Sequence, residues 1–339
     1  MVGMGRGILA EREWVKKCAE GREDELRYCI SCMNCFNVNP FSYEQTNCSV
    51  NPFALREGSK RPIVQDGDGR LVAVIGAGPA GMEAAVTLKQ RGFDVVVFDK
   101  RDEIGGNLHV AKKPPFKGKF EWAIDYYKSM AKKLNITMKL GKEVTAQEVL
   151  ALKPYSILVA TGSNVISIPL EGLDQVQTVQ AHDVLANDMQ FANKKVVVIG
   201  GGITGLETAL YINRQGTNQV SVVDMLPEWP VDMLDMRYQN EALLEVRHCN
   251  DQGVALFYNN KVVKFADGKL FIESTKDGEV KELPADVIVL SVGVKPNDAL
   301  WQELLASGHP SVWKAGDAIA TGKINKAVLH GSKFGYSLN

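Results

Sequence analysis

The chain has 339 residues, enough for two or three domains that each bury a core, because a domain usually holds roughly 100 to 200 residues. Its 39 Lys and Arg residues against 40 Asp and Glu residues leave a net charge of -1, so no overall field attracts nucleic acid or an anionic membrane surface. The apolar start is interrupted by charges and no later stretch approaches the roughly 18 apolar residues of a membrane span, so the sequence predicts a cytoplasmic protein.

Four cysteines near the start form the first chemical motif of the chain. Cys29, Cys32 and Cys35 are separated by two residues each, and Cys48 follows after twelve more. In a reducing compartment, clustered thiols are more often metal ligands or catalysts than disulfides. Three close thiolates and a distant fourth suit a 4Fe-4S cluster, whereas structural zinc usually takes two separated pairs. The spacing favours the iron-sulfur cluster and leaves zinc and unligated thiols as alternatives, with Cys18 outside the pattern.

A glycine-rich turn between two apolar runs lies in residues 71–100. The glycines follow the pattern Gly76-x-Gly78-x-x-Gly81, after a predicted strand and at the start of a predicted helix, which is the setting that dinucleotide binding requires. Such glycines allow a tight turn, a close approach to pyrophosphate and close helix packing. Asp99 ends the next predicted strand, where a carboxylate can bind ribose hydroxyls. These residues predict one Rossmann-like unit.

A second unit of the same kind follows later in the chain. Its glycines are Gly200-x-Gly202-x-x-Gly205, and Asp224 ends the strand that follows. A carboxylate at this position would repel the 2'-phosphate of NADPH, and no arginine stands beside it in residues 222–227. The sequence therefore favours NADH as the ligand of the second unit.

The rest of the chain continues the α/β pattern. The periodicity predicts a helix over 120–134, a buried strand over 155–163, a helix over 231–251, a meander of strands over 254–274, buried strands over 286–296 and 311–318, and a closing helix over 323–337. After Cys48 only Cys249 remains, so no CxxC pair is available for thiol-disulfide exchange. We expect Cys249 to be a small buried hydrophobic residue.

Two such units in one chain resemble the two-dinucleotide flavoprotein fold of glutathione and thioredoxin reductases. Residues 103–107, 160–162 and 315–318 match a second glycine pair, an interdomain crossing and a late Gly-Asp of that fold. The resemblance covers residues 71–339 and implies that FAD binds the first unit and the nicotinamide dinucleotide the second. It implies further FAD contacts at Gly106, Thr161, Gly162, Gly316 and Asp317, the last on the ribityl chain.

Glu207 is the one candidate catalytic side chain. It resembles the glutamate near the nicotinamide in related reductases. A glutamate in the first turns of a helix also simply suits the helix dipole, so both interpretations stay open.

The cysteine spacing, followed by Ser-Val-Asn-Pro and the tandem fold, resembles a narrower group of enzymes. It is similar to the C-terminal part of trimethylamine dehydrogenase, 2,4-dienoyl-CoA reductase and clostridial 2-enoate reductases, which begin with an FMN-binding TIM barrel. Residues 2–7 and 9–14 look like the last barrel strand and its phosphate-binding loop. In that family Gly5 and Arg6 would hold the FMN phosphate, while nearly all of the barrel is missing from this sequence.

Together these patterns predict an α/β protein with a two-dinucleotide-binding flavoprotein fold, that is, tandem Rossmann-like domains preceded by a small iron-sulfur segment. The expected division is a remnant of the barrel end in 1–20, the 4Fe-4S segment in 21–65, an FAD-binding domain in 66–165 and 285–339, and an NAD(H)-binding domain in 166–284.

The resemblance implies an NAD(P)H-dependent FAD oxidoreductase that passes electrons from NADH through FAD to the 4Fe-4S cluster. An FMN-barrel domain or subunit, or a soluble acceptor, would receive them, and FMN belongs here only if a barrel domain is present. Two alternatives are a non-catalytic ADP-binding electron conduit, as in trimethylamine dehydrogenase, and a small subunit of the glutamate synthase type. Enoate, dienoyl-CoA and trimethylamine all stay open as substrates.

Overall fold

The computed structural model describes residues 3–36, 47–59, 62–227 and 239–339 of the chain. Its helices are α1 (Arg6–Ala10), α2 (Trp14–Ala19), α3 (Pro79–Gln90), α4 (Leu108–Ala111), α5 (Glu121–Lys133), α6 (Ala146–Ala151), α7 (Ala181–Ala186), α8 (Ile203–Asn213), α9 (Gln239–Asp251), α10 (Ala299–Ala306) and α11 (Ile324–Ser337). No helix within these ranges is both long and apolar enough to cross a membrane.

The first sheet has five parallel strands. Their spatial order is β15 (Val312–Lys314), β4 (Ser156–Val159), β1 (Leu71–Ile75), β2 (Asp94–Phe98) and β3 (Thr137–Lys139). The central strands are runs of Val, Ile and Leu because both faces of a parallel sheet are covered. Val72 and Val74 pack into one core with α3, α5 and α11, whereas Ala73 and Ile75 pack into another with α6 and α10.

The second sheet repeats this plan. Its five parallel strands are ordered β6 (Gln177–Gln180), β13 (Val287–Leu290), β7 (Lys195–Ile199), β8 (Gln219–Val223) and β9 (Ala255–Phe257). Val196 and Val198 pack against α7, α8 and α9 on one face. Val197 and Ile199 face an antiparallel meander of β10 (Asn260–Ala266), β11 (Lys269–Ser274) and β12 (Val280–Pro284).

A small ribbon marks the two places where the chain crosses between the sheets. β5 (Ser163–Val165) leads from the first sheet to the second, and β14 (Val294–Pro296) leads back. The two strands pair antiparallel with each other. The return therefore begins after β13, so by strand pairing Val287–Leu290 belongs to the second sheet, although the division by sequence assigned residues from 285 onward to the first unit.

The cysteine segment, defined here as residues 27–36 and 47–52, packs on the outside of the first sheet's helices. Cys29, Cys32 and Cys48 contact a small core that contains Leu108 of α4 and residues of α5. The segment therefore lies against elements that follow the first glycine loop in the chain.

The predicted α/β fold with tandem Rossmann-like units is confirmed. The predicted helices over 120–134 and 323–337 form as α5 and α11, and the predicted buried strand over 155–163 contains β4, which is buried throughout. For the helix predicted over 231–251, residues 239–251 are helical as α9, and residues 231–238 lie outside the described ranges.

Two local predictions are wrong. Residues 311–318 were expected to be a buried strand, but β15 is an edge strand of three residues and 52% of Trp313 is exposed. Residues 254–274 do not form one meander, since β9 joins the parallel sheet beside β8. No described strand pairs with residues 3–5, and α1 begins at Arg6, while the resemblance of residues 2–7 to a barrel strand stays a prediction.

Candidate functional site

The first glycine loop lies between β1 and α3, where its backbone is closely surrounded. Gly76 has φ +114°, and a β-carbon there would lie 2.2 Å from the carbonyl oxygen of Ala160. A β-carbon on Gly81 would lie 1.9 Å from the carbonyl oxygen of Gly76. Both positions therefore require glycine, because a side chain would collide with backbone that cannot move aside. α3 then begins with Pro79 at its first turn and directs its free amides into the loop.

The second glycine pair lies directly against this loop. Gly105 donates its amide to the carbonyl oxygen of Ala77 at 2.9 Å, and a β-carbon on Gly106 would lie 2.8 Å from Cα of Gly78. The two backbones thus approach each other with no side chain between them. This is the bare backbone surface that a pyrophosphate needs for close approach.

Asp99 follows β2 and braces the loop from the side. One carboxylate oxygen accepts the amide of Ala77 at 2.6 Å, and the other accepts the amide of Arg101 at 2.8 Å. Each oxygen keeps a further lone pair, which a ribose hydroxyl can use.

Asp317 reaches the same region from the far end of the chain. Its carboxylate accepts hydrogen bonds from Ser163 Oγ at 3.2 Å and from the amide of Gly322 at 3.1 Å. Burial raises the pKa of this carboxyl group. A β-carbon on the preceding Gly316 would lie 3.0 Å from Cβ of Ala80 in the first turn of α3. The late Gly-Asp therefore meets the first glycine loop in space.

Thr161 and Gly162 hold the crossing between the sheets in place. Thr161 Oγ1 donates to the carbonyl oxygen of Asn297 at 2.5 Å, and the amide of Asn297 donates to the carbonyl oxygen of Gly162 at 3.0 Å. These bonds join the outgoing and the returning crossing segments. They fix the position of the backbone at residues 161–162, which follows β4 of the first sheet.

A dinucleotide fits this surface. The fit rests on the bare backbones of Gly78 and Gly106 and on a buried polar atom, Nδ1 of His330, that has no hydrogen-bond partner among the described residues. His330 lies close enough to Asp317 for their charges to interact. A polar ligand would satisfy such a group, since buried polar atoms are rarely left unbonded.

The second glycine loop repeats the first. Gly200 has φ +107°, and a β-carbon there would lie 2.2 Å from the carbonyl oxygen of Ser291. A β-carbon on Gly205 would lie 1.9 Å from the carbonyl oxygen of Gly200, whereas one on Gly202 would meet nothing within 4 Å. Asp224 accepts the amides of Gly201 at 2.6 Å and Leu226 at 2.8 Å, so its carboxylate braces the turn as Asp99 does.

Glu207 lies at the junction of the two units, in a network of buried charges. It is 7% exposed and forms an ion pair with Lys117, which comes from the loop before α5 of the first unit. Lys117 also donates to Glu241 of α9 at 3.0 Å, and Glu241 pairs with Lys323 just before α11. Burial raises the pKa of Glu207 to about 7, although the Lys117 ammonium acts to lower it.

The cysteine segment brings the four predicted ligands to one area. All four are free thiols and half-buried, and Cys29 and Cys32 interact electrostatically with both Cys35 and Cys48. Burial raises the pKa of Cys48 to about 11, and burial together with the neighbouring thiols raises the pKa of Cys35. Within the described ranges, no group of three or more His, Cys, Asp or Glu side chains has an arrangement that could hold a metal ion.

Asparagines connect the two halves of the segment to the first unit. Asn34 Nδ2 donates to Asn47 Oδ1 at 2.6 Å, and Asn325 Nδ2 near the start of α11 donates to the same oxygen at 3.0 Å. α11 begins a few residues after Asp317. The cysteine segment is therefore bonded to the start of a helix that follows Asp317 closely in the chain.

The remaining candidates lie apart from the dinucleotide surfaces. Gly5 and Arg6 are exposed, and Arg6 Nη1 lies 2.9 Å from the sulfur of Met33 in the cysteine segment. Cys249 is fully buried in the core of the second unit, which confirms its expected role as a small hydrophobic residue.

Sequence reasoning missed several charged residues of the site. Lys117, Lys323 and His330 stand in no motif, and their partners are far away in the chain. Arg27 and Glu83 were missed for the same reason, since 56 positions separate them. A buried glutamate in an otherwise apolar helix was the one available signal, because a buried carboxylate needs a partner.

Comparisons with known proteins agree with this geometry. Residues 70–329 match the pyridine nucleotide-disulphide oxidoreductase model. The chain is similar to NADH oxidase of Thermoanaerobacter brockii (34% identical, 99% of this chain, 52% of the relative) and to bilirubin reductase of Mediterraneibacter gnavus (33%, 88% and 45%). It is also similar to a solved 2-naphthoyl-CoA reductase, with a TM-score of 0.88, 29% identity and coverage of 99% of this chain and 50% of that one.

The chain spans about half the length of the curated relatives it matches. What it shares with them includes the two dinucleotide units, the part of the fold that binds FAD and the nicotinamide nucleotide. This chain therefore belongs to the pyridine nucleotide-disulphide oxidoreductase family and is an NAD(P)H-dependent flavin oxidoreductase.

Proposed function

We propose that this chain moves electrons from NADH through FAD to a 4Fe-4S cluster held by Cys29, Cys32, Cys35 and Cys48. An FMN-bearing domain or subunit, or a soluble acceptor, would then receive them. When bound, FAD takes a hydride from NADH and releases electrons singly, and the cluster carries them one at a time.

One observation carries this proposal: the four thiols lie beside the elements that line the first dinucleotide surface. Cys29, Cys32 and Cys48 pack against a small core that includes Leu108, only two residues after Gly106 of the second glycine pair. The same core includes Ile324 at the start of α11. A cluster held there would be close to the flavin nucleotide, which electron transfer requires.

The donor set supports a cluster. Burial and the neighbouring thiols raise the pKa of Cys35, so forming its thiolate costs free energy. Iron would offset that free energy by binding the thiolates. A four-iron cluster binds each thiolate to a different iron, so its sulfurs are more widely spaced than the ligands of a single ion. The proposal does not need the four sulfurs to meet at one point.

The protein's own residues have distinct roles in this scheme. Asp99 and Asp317 bind the ribose and the ribityl chain of FAD, and the bare backbones of Gly78 and Gly106 admit its pyrophosphate. Asp224 binds the ribose hydroxyls of NADH. Glu207 lies at the junction of the two units, where the nicotinamide would meet the flavin.

The relatives indicate the class of the final electron acceptor and not its identity. Relatives named as reductases of bilirubin and cinnamate are about twice as long as the region that they share with this chain, so about half of each lies outside that region. We propose that an FMN-bearing barrel, as the cysteine spacing and residues Gly5 and Arg6 suggest, takes the electrons.

Metal analysis of the anaerobically prepared chain tests the cluster. Wild type should contain about four irons and four sulfides per chain, and Cys29→Ser, Cys32→Ser, Cys35→Ser or Cys48→Ser should each lower both. Cys18→Ser is the matched control, since this cysteine is equally half-buried but lies outside the spacing, and it should leave the content unchanged. Stoichiometric zinc without sulfide would contradict the proposal.

A further inference from the structure

A buried ion pair joins the cysteine segment to the helix of the first glycine loop. The two terminal nitrogens of Arg27 donate to the two carboxylate oxygens of Glu83 on α3, at 2.7 and 2.9 Å. Glu83 is only 2% exposed, and Tyr127 of α5 donates to it at 3.1 Å. The guanidinium also lies over the ring of Tyr126, 4.4 Å from its centre.

The same guanidinium holds both halves of the cysteine segment. Arg27 precedes Cys29 by two residues, and its Nη1 also donates to the carbonyl oxygen of Val50, two residues after Cys48, at 2.7 Å. Between these halves, Cys32 Sγ lies 3.2 Å from Ser49 Oγ. One side chain therefore fixes the start and the end of the segment to a single point on α3.

α3 is itself the element that would carry FAD. It begins at Pro79, inside the glycine loop, and Glu83 is its fifth residue. A contact to Glu83 therefore fixes the cysteine segment relative to the pyrophosphate surface through one rigid helix. Arg is suited to this task, because its planar fork sets both the distance and the orientation of a carboxylate partner, which Lys cannot do.

We infer that Arg27 and Glu83 form a positioning pair that sets the distance between the cluster and the flavin, and so the rate at which electrons leave FAD. The inference rests on the proposed function. FAD receives two electrons from NADH, gives them one at a time to the oxidised cluster and releases its protons to solvent, and a one-electron acceptor such as ferricyanide reoxidises the cluster. Neither Arg27 nor Glu83 takes part in the hydride transfer.

The test compares Arg27→Lys with a matched control in the full, cluster-loaded chain. Arg91, just after the C-terminal end of α3, makes the same pattern of hydrogen bonds to a more exposed carboxylate: its fork donates to Asp66 at 2.8 and 2.5 Å, and Nη1 donates to the carbonyl oxygen of Gly335 at 2.8 Å. None of these partners belongs to the cysteine segment. Arg91→Lys removes an equivalent fork without touching that segment.

Two rates are measured after anaerobic mixing with NADH: the loss of flavin absorbance and the appearance of the reduced-cluster signal in freeze-quenched EPR samples. Arg27→Lys should leave flavin reduction within about twofold and slow cluster reduction by about tenfold, because electron transfer slows steeply as the two centres move apart and Lys cannot fix their distance with a planar fork. Arg91→Lys should leave the ratio of the two rates as in wild type. An unchanged ratio in Arg27→Lys, or an equal fall in Arg91→Lys, overturns the inference.

Hydrogen exchange separates this inference from the proposed function. Amides of residues 28–35 should exchange faster in Arg27→Lys and not in Arg91→Lys. A wild-type protein without iron and sulfide would overturn the proposed function. Unchanged amide exchange in Arg27→Lys would overturn the positioning role, whatever the metal content. If Arg27→Lys does not fold, the double variant Arg27→Leu with Glu83→Leu removes both charges together, a replacement that buried pairs often tolerate, and it should show the same slow cluster reduction.

Discussion

Asp224 and Asp99 occupy equivalent places in the two units. Each accepts two backbone amides, one from its glycine loop and one from the residue two positions further along the chain. The carboxylate at the second site therefore has a fixed position at the edge of the loop. A carboxylate held there is the physical basis for the preference for NADH that we propose.

Exchanging this charge should change the nucleotide preference. The double variant Asp224→Ser with Met225→Arg removes the repulsion of a 2'-phosphate and adds a cation for it. The ratio of kcat/KM for NADH over NADPH should fall by at least about tenfold, which corresponds to about 1.4 kcal/mol. Asp224→Asn, which keeps an acceptor oxygen, should give a smaller fall. Equal use of both nucleotides by the wild type would contradict the argument.

Glu207 is a buried carboxyl whose pKa is raised to about 7, from a usual value of 4.5, mainly by burial. The native state therefore binds this proton more tightly than the unfolded chain does. Stability from this group is fully present at low pH and declines as the pH rises from about 4.5 to about 7. Lys117 reduces this decline without removing it, since its charge favours the ionised form of Glu207.

Glu207→Gln should therefore remove a pH-dependent loss of stability. The thermal midpoint of the variant, relative to wild type, should rise between about pH 5 and about pH 7, since the group contributes up to about 1.4 kcal/mol per pH unit. Gln177→Ala, at an exposed site of β6, changes no titratable group and should give a difference that does not change with pH. A flat difference for Glu207→Gln as well would show that Glu207 is ionised throughout this range.

At the scale of elements, the packing of α11 on α3 depends on two glycines one turn apart. A β-carbon on Gly331 would lie 2.1 Å from the carbonyl oxygen of Ala80, and one on Gly335 would lie 2.6 Å from Cβ of Thr87. The helices approach until backbone meets backbone. This close contact holds the start of α11 beside Asp317 and the cysteine segment.

Gly331→Ala should destabilise the protein although Ala is the better helix former. The added methyl group meets backbone that cannot move aside, so we expect a loss of about 1 to 3 kcal/mol in unfolding free energy. Gly118→Ala is the control, because a β-carbon there meets nothing within 4 Å, and it should stay within about 0.5 kcal/mol. Chemical denaturation with a flavin and a backbone probe would measure both, and a stabilised Gly331→Ala variant would refute the close contact.

Elements differed in how well the sequence predicted them. α5 and α11 formed where the 3.6-residue period indicated, and β4 formed where a continuous apolar run indicated. β15 was predicted to be buried because its residues are apolar, yet it lies at the edge of the first sheet and Trp313 is half exposed. A single strand carries no signal about which neighbours will cover it.

At the scale of the whole molecule, the chain supplies both dinucleotide surfaces and the cysteine segment. The surfaces proposed for FAD and NADH lie within residues 71–317, inside residues 70–329 that match the family model. The relatives are about twice as long as the region they share with this chain. Under the proposed function electrons enter within this chain, and the site for an organic substrate would lie in the further half.

The chain by itself should reduce artificial acceptors but not activated alkenes. NADH-dependent reduction of ferricyanide or a tetrazolium dye should proceed, since FAD and NADH have their surfaces within this chain. Turnover of enoates, dienoyl-CoA or trimethylamine should be absent even with added FMN, and should appear when a barrel-bearing partner is supplied. Asp317→Ala, which removes a carboxylate beside the first loop, should lower dye reduction and serves as the control for the FAD surface. Turnover of any of those substrates by the pure chain would place the substrate site within these 339 residues.

The sequence by itself determined the two glycine loops, their terminal carboxylates and the spacing of the four cysteines. Each of these is a local pattern, in which the chemistry depends on residues a few positions apart and on the turn between one strand and one helix. The loops at Gly76 and Gly200 have the left-handed or close-packed backbone that the pattern requires. The expected fold class followed from the repetition of this unit.

Only the tertiary structure decided which distant groups meet. Glu207 and Lys117 are 90 positions apart, Arg27 and Glu83 are 56 apart, and Thr161 and Asn297 are 136 apart, so no local period could connect them. Their pairing depends on how helices and crossing segments pack on the two sheets, because a buried charge finds its partner only when the core closes around both. The ion network between the units and the attachment of the cysteine segment to α3 are therefore properties of the fold.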